Sequence, residues 1–175
     1  MGLTINHQVA LVFDRDATDV FNVLQNNELP QRFEMDMSRA YGKRGFNGCR
    51  KPDNLQLSEN NRVITFDSDG YGVWDLKVVG FPHVTHFISR YDGLQCERYD
   101  YVEVRTIDQL DGFDFFPYEN HPNQVTVEWP NEEEFDSVEA YDEAVDEEMS
   151  NINVQLNAQF HAAIEAALQA QLITA

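Results

Sequence analysis

The sequence predicts an α+β protein with a small mixed, mostly antiparallel sheet, flanking helices and a long acidic amphipathic C-terminal helix. Short apolar segments of strand length recur between turn residues up to residue 130, and apolar residues then recur at steps of three and four. The 175 residues are 42% apolar and include 12 Phe and 7 Tyr, which is enough for one buried core. We expect an α+β body over residues 1–130. Residues 131–175 should form a helical segment, first acidic and then Ala-rich, packed on the body or on a partner.

The body is predicted to combine strands with short helices. Strand patterns cover residues 8–13, 62–66, 73–79 and 99–105, with a further candidate at 124–129. The segments 62–66 and 73–79 flank turn residues and are expected to pair as a hairpin. A helix is expected to follow Asp14, and a short helix is expected over residues 82–93. Residues 32–54 show no clear period, which indicates a loop.

The C-terminal segment has the sustained period of an amphipathic helix. Its apolar residues are spaced by three and four at Phe135, Val138, Tyr141, Val145, Met149, Ile152, Leu156, Phe160, Ala163 and Ala167. Asn131 is the expected N-cap, and the carboxylates of 132–134 complement the positive end of the helix dipole. About forty residues of helix would measure about 60 Å, which exceeds the width of a compact domain of this size. We therefore expect the helix either to break near Ser150 and Asn151 or to extend towards a partner.

The negative charge of the chain is concentrated in its C-terminal part. The sequence has 12 Lys and Arg against 31 Asp and Glu, a net charge of −19, and every basic residue lies at or before Arg105. Residues 106–175 carry 16 acidic and no basic side chains. This distribution indicates an interaction surface, and it excludes direct DNA binding through the C-terminal part because phosphate binding needs cations.

Ten carboxylates lie within residues 132–148. In one continuous helix, six of them would share the face opposite the apolar residues: Glu132, Asp136, Glu139, Glu143, Asp146 and Glu147. The segment would carry one charge per about 2.5 Å, against one per about 1.7 Å for duplex DNA. A merely solvated helix usually interleaves Lys or Arg at i+4, and here no such pair is possible. The acidic face is therefore predicted either to be a solvated surface or to meet a cationic partner.

A basic loop forms a secondary candidate site. Its cations are Arg39, Lys43, Arg44, Arg50 and Lys51, which follow Arg32 and are interleaved with glycines and aromatic residues. Such a loop could bind RNA or single-stranded DNA, contact a protein partner, or pair with the acidic helix of the same chain.

Sequence motifs for catalysis, cofactor binding or metal binding are missing. His83 and His86 are spaced at i and i+3 without an HExxH, CxxC or HxH pattern, and Cys49 and Cys96 are expected to be reduced thiols. No apolar stretch is long enough for a membrane span, and no signal peptide is recognisable. We expect a cytoplasmic protein, located in the host cytoplasm if a phage encodes it, without catalytic residues, cofactor, metal or membrane partner.

Three functional hypotheses follow from these patterns. The first is a non-catalytic protein of phage or mobile-element type that inhibits a cationic nucleic-acid-binding protein by DNA mimicry. Its target would be a restriction, CRISPR-type or other defence nuclease, or a transcription factor. The second is a structural or assembly protein that forms a homodimer or larger oligomer through Leu156 and Phe160 of the C-terminal helix. The third is an unrecognised enzyme that uses the histidines.

Overall fold

A computed structural model describes residues 6–26, 53–68, 83–93, 100–106, 109 and 121–174. Its strands are β1 (Asn6–Phe13), β2 (Asp53–Leu57), β3 (Val63–Ser68), β4 (Val84–Asp92) and β5 (Tyr101–Thr106). They form one antiparallel sheet in the order β2-β3-β1-β4-β5. Its α-helices are α1 (Thr18–Gln25) and α2 (Val138–Thr174). The predicted α+β class, with an antiparallel sheet and a long C-terminal helix, is confirmed.

The central strand β1 supplies both layers of the core. Alternate residues of a strand point to opposite faces of the sheet. Val9, Leu11 and Phe13 are buried in one cluster with Leu24 of α1, and Ala10 and Val12 are buried in another cluster with residues of α2. The sheet therefore lies between the two helices, with α1 on one face and α2 on the other.

The helix α1 matches the predicted position after Asp14. The Oδ1 atom of Asp16 accepts a hydrogen bond from the Thr18 N–H at 2.9 Å, which satisfies one of the free donors at the start of the helix. Hydrogen bonds from the side chain of Thr18 and, second, from its backbone lower the pKa of the Asp16 carboxyl. Val20 and Phe21 pack against the core cluster beneath α1.

The helix α2 is continuous and begins later than the sequence predicts. The Asn131 side chain caps a single 3-10 turn, Glu132–Glu134, by accepting the Glu133 N–H at 3.2 Å, and the chain is then extended at Phe135. The α-helix begins at Val138, where the Ser137 hydroxyl accepts the Ala140 N–H at 3.2 Å. No break occurs near residue 150. The 37 residues of α2 measure about 55 Å.

Only the C-terminal two thirds of α2 have residues buried against the sheet. Its buried residues are Ile152, Leu156, Phe160, Ala167 and Gln171, and no residue of 138–151 is buried. About 20 Å of helix therefore extends past the part that packs in the core.

Polar side chains of the sheet hold α2 in place. The Arg90 guanidinium of β4 donates hydrogen bonds to the side-chain oxygens of Asn153 and Asn157. The Arg62 guanidinium donates to Gln171, whose amide in turn donates to the Phe13 carbonyl at 3.0 Å. These contacts fix the position of the helix along the sheet as well as its contact face.

The segment 121–130 passes around the β5 edge of the described sheet. The His121 ring stacks on Tyr101 with centroids 4.0 Å apart, on one face, whereas Val125 is buried in the α2 cluster on the other. Between them, the Val125 N–H donates to the Asp100 carbonyl at 2.7 Å. No residue of 124–129 adopts strand structure, so the strand predicted there is wrong.

Two further predictions change with the structure. The helix predicted over 82–93 is wrong, because this segment forms β4 beside β1. The segment 62–66 lies in or next to β3, which pairs with β1 and with the unpredicted β2. Its predicted hairpin partner, 73–79, lies outside the described residues.

Candidate functional site

The first part of α2 carries an acidic flank, which we define as Glu139, Asp142, Glu143, Asp146 and Glu147. All five side chains are exposed. At about 100° per residue, Glu139, Glu143, Asp146 and Glu147 fall within an arc of about 100°. Asp142 borders this arc on the side nearer the sheet, and sequence reasoning missed it, because its exposure depends on the helix extending past the core.

Two predicted members of the acidic face do not belong to the flank. Glu132 lies in the 3-10 turn and Asp136 lies in the connection before α2. Both are exposed, but the extended residue Phe135 separates Glu132 from the helix and Asp136 precedes the helix. The prediction of a single helical face that starts at residue 132 is therefore wrong. They remain acidic neighbours of the flank in sequence.

None of the ion pairs between described residues neutralises the ten carboxylates of 132–148. The four described arginines have other partners. Arg15 contacts Asp14, Arg105 contacts Glu103, and Arg62 and Arg90 bind the amides beneath α2. The like charges of the flank at i and i+4 therefore repel one another, at a cost of about 0.2–0.5 kcal/mol per pair.

The opposite flank of α2 is covered by the segment that precedes the helix. Tyr141 makes an edge-to-face contact with Phe135 at a centroid distance of 5.8 Å. The half-buried Glu148 accepts the Glu128 N–H at 3.3 Å, beside a shallow groove that Asn151 also lines. These contacts hold the extended part of α2 on one side and leave the acidic flank facing solvent.

The basic loop lies outside the described residues. This holds for Arg39, Lys43, Arg44, Arg50 and Lys51, and also for Cys49 and Cys96. Its three predicted roles therefore stay predictions.

A buried polar cluster lies at the β5 edge. The Glu103 carboxylate is 2.5 Å from the Arg105 guanidinium and 3.7 Å from Nε2 of His121. Nδ1 of His121 accepts the Asn123 N–H at 3.1 Å, which assigns the proton of the neutral ring to Nε2. Burial lowers the pKa of His121; Glu103 opposes this effect and Arg105 adds to it. The cluster anchors the segment that leads to α2.

The lowered pKa of two histidines predicts a pH-dependent stability. Burial also lowers the pKa of His86 in β4. The unfolded chain therefore binds protons at a higher pH than the folded chain, and the free energy of unfolding should decrease as the pH falls below about 6.5. Urea unfolding between neutral and mildly acidic pH measures this slope. His121→Phe should flatten it, and an unchanged slope in this variant would contradict the assignment.

The described residues contain no group of three His, Cys, Asp or Glu side chains arranged to hold a metal ion. His83 precedes β4 and His86 lies within it, so the predicted helical spacing of the two imidazoles does not occur. Within the same described ranges, no helix is both long and apolar enough to span a membrane.

The residues expected to mediate oligomerisation are buried within their own chain. Leu156 is 0% and Phe160 2% exposed, both against the sheet of the same chain. Polar replacements there would disrupt the fold, so they cannot test the assembly hypothesis.

Comparisons with protein-family models, curated proteins and solved structures found no match for this chain.

Proposed function

We propose that this protein is a non-catalytic inhibitor that occupies the nucleic-acid groove of a cationic protein. The observation that supports the proposal is the acidic flank, whose carboxylates are exposed, regularly spaced and not paired with any of the described arginines. A carboxylate row of this kind attracts a cationic groove by the same electrostatic steering that attracts DNA.

The anchoring of α2 favours this function over that of a flexible acidic tail. Because 152–171 contain the buried residues of the helix, the flank is carried on a helix fixed to the body. A preorganised row of charges loses less conformational entropy on binding than a disordered one. The protein is thus suited to compete with DNA for a restriction, CRISPR-type or other defence nuclease, or for a transcription factor. Such an inhibitor would be typical of a phage or mobile element.

A capture experiment tests the proposal. The purified chain is immobilised, incubated with a bacterial lysate, and washed with increasing salt or with free DNA. We expect a nucleic-acid-binding protein to be retained at low salt and released by either treatment, because counterions and phosphates compete for the same cations. Retained proteins that neither salt nor DNA releases would contradict the proposal.

A further inference from the structure

The outward face of α2 carries a regular row of side chains on the side opposite the sheet. We call it the outer row, and its members follow one another at steps of four and three: Val154, Ala158, His161, Glu165, Leu168 and Leu172. At about 100° per residue, all six lie about 120–200° away from the buried Leu156. Val154 and Leu172, at the two ends, are each 64% exposed, and Leu168 is half-buried. Steps of three and four on an exposed face are the spacing with which one helix pairs with another.

The apolar members of the outer row match those of a second copy that runs in the opposite direction. Val154 and Leu172 are equally distant from Ala163 in the chain, so an antiparallel pair centred there places each against the other. In the same pair Ala158 meets Leu168, and a small side chain against a large one lets the two helices interdigitate. One arrangement thus covers Val154 and Leu172, the two large apolar side chains that the core-anchored part of α2 exposes.

The polar residues in the middle of the outer row select the direction and the register of this pair. In the antiparallel pair the His161 imidazole faces the Glu165 carboxylate of the second copy, and an imidazole N–H is a donor for a carboxylate. A parallel pair would place Glu165 against Glu165 and one acidic flank against the other, so like charges would repel. An antiparallel pair shifted by one heptad would place Glu165 against Val154 or Leu168, where burial of the carboxylate costs free energy. Polar residues at such positions set the register of paired helices.

We infer that the chain forms an antiparallel homodimer through the outer row of α2. The interface is isologous, so each of its contacts occurs twice. The acidic flank lies outside the overlap of 154–172. The two flanks are about 60 Å apart along the paired helices, so each stays exposed to its own cationic partner. The inference is independent of the proposed function, because the dimer neither covers nor completes the flank.

The extent of the overlap predicts a dimer in equilibrium with its monomer. Residues 154–172 extend over about 27 Å of helix axis. One helix pair of that length falls at or below the area of about 1,200 Å² that stable interfaces bury. Each copy also carries a net charge of −19, which opposes association. Added salt screens this repulsion, so dimerisation should strengthen with salt, whereas binding of the flank to a cationic groove should weaken.

Sedimentation equilibrium of the purified full chain, between about 1 and 300 µM, tests the dimer. We expect a dimer that increases with protein concentration. Val154→Gln with Leu172→Gln should weaken it about tenfold or more, because both symmetric apolar contacts are lost. The matched control is Val138→Gln with Met149→Gln, which replaces side chains 62% and 46% exposed on α2 but outside the overlap. A monomer at every concentration, or a dimer that both double variants retain equally, would overturn the inference.

Disulfide cross-linking tests the direction of pairing. In a background with Cys49→Ser and Cys96→Ser, one chain carries Val154→Cys and another carries Leu172→Cys. Antiparallel pairing predicts a cross-linked dimer only when the two chains are mixed, because two copies of the same variant hold their cysteines about 27 Å apart. Cross-linking of either variant alone, or none in the mixture, would contradict the antiparallel register. Circular dichroism of each variant verifies that α2 is retained.

Discussion

Replacing Phe160 with alanine should lower the free energy of unfolding by about 3–5 kcal/mol, and replacing Leu156 should lower it by about 2–5 kcal/mol. Both side chains are buried between α2 and the sheet, together with Ala10 and Val12 of β1. Alanine favours helix at either position, so the loss would come from the cavity and the lost packing. Since domains of this size are stable by about 5–15 kcal/mol, either change removes a large share of the total. Urea unfolding followed by circular dichroism measures it.

The control positions lie on the same helix. Val154 and Leu172 are each 64% exposed, so their replacement by alanine should change stability by about 0.5 kcal/mol or less. If Phe160→Ala cost no more than Val154→Ala, the described packing of α2 on the sheet would be wrong. The loss of stability in Phe160→Ala should also be the same at every protein concentration, because Phe160 packs within its own chain. A residue at an oligomer interface would instead show a loss that depends on protein concentration.

Reversing two charges of the acidic flank should stabilise the fold and strongly weaken partner binding. In a variant with Glu143→Lys and Asp146→Lys, each new lysine lies four residues after a carboxylate, Glu139 or Asp142. This order is the favourable one for an i,i+4 pair. Two such pairs should add about 0.4–1 kcal/mol to the free energy of unfolding. Binding to a cationic groove should weaken about a hundredfold or more at low salt, because attraction becomes repulsion.

A control of equal net charge isolates the flank. Glu59→Lys with Glu165→Lys also changes two exposed glutamates to lysine. This variant should keep nearly all of its affinity, since its changes lie in the β2–β3 turn and far along α2 from the flank. Titration of the captured protein with each variant at several salt concentrations measures the two affinities. Undiminished binding by the flank variant would refute mimicry, and equal losses in both variants would show that only the net charge matters.

The sequence predicts some elements well because their patterns are local. The strand β1 is a short apolar run, β5 alternates, and α1 follows its cap with apolar residues on one face. The strand β4 was mistaken for a helix because it contributes to the core on both faces, so its apolar residues do not alternate. The strand β2 was missed because its residues are mostly polar and it lies at one edge of the described sheet.

The residues of the candidate site also divide into those that local patterns predict and those that they do not. Sequence alone identified Glu139, Glu143, Asp146 and Glu147 as one helical face, because helical period and charge can be counted along the chain. It placed Glu132 and Asp136 on that face because the interruption at Phe135 leaves no gap in the apolar spacing. The sequence also could not predict that Val138 and Met149 are exposed, because their spacing is the same as that of the core residues that follow them in α2.

The sequence by itself determines the uneven charge, the absence of countercharge after Arg105 and the helical period of the C-terminal segment. The tertiary structure decides that α2 is continuous and that its contact with the core begins at Ile152. The physical reason is that these features depend on the extent of a sheet built from strands distant in the chain. Pairing between strands that are distant in the chain sets where the core ends. It thereby decides which part of the uniform helical pattern of α2 is buried and which part is exposed to a partner.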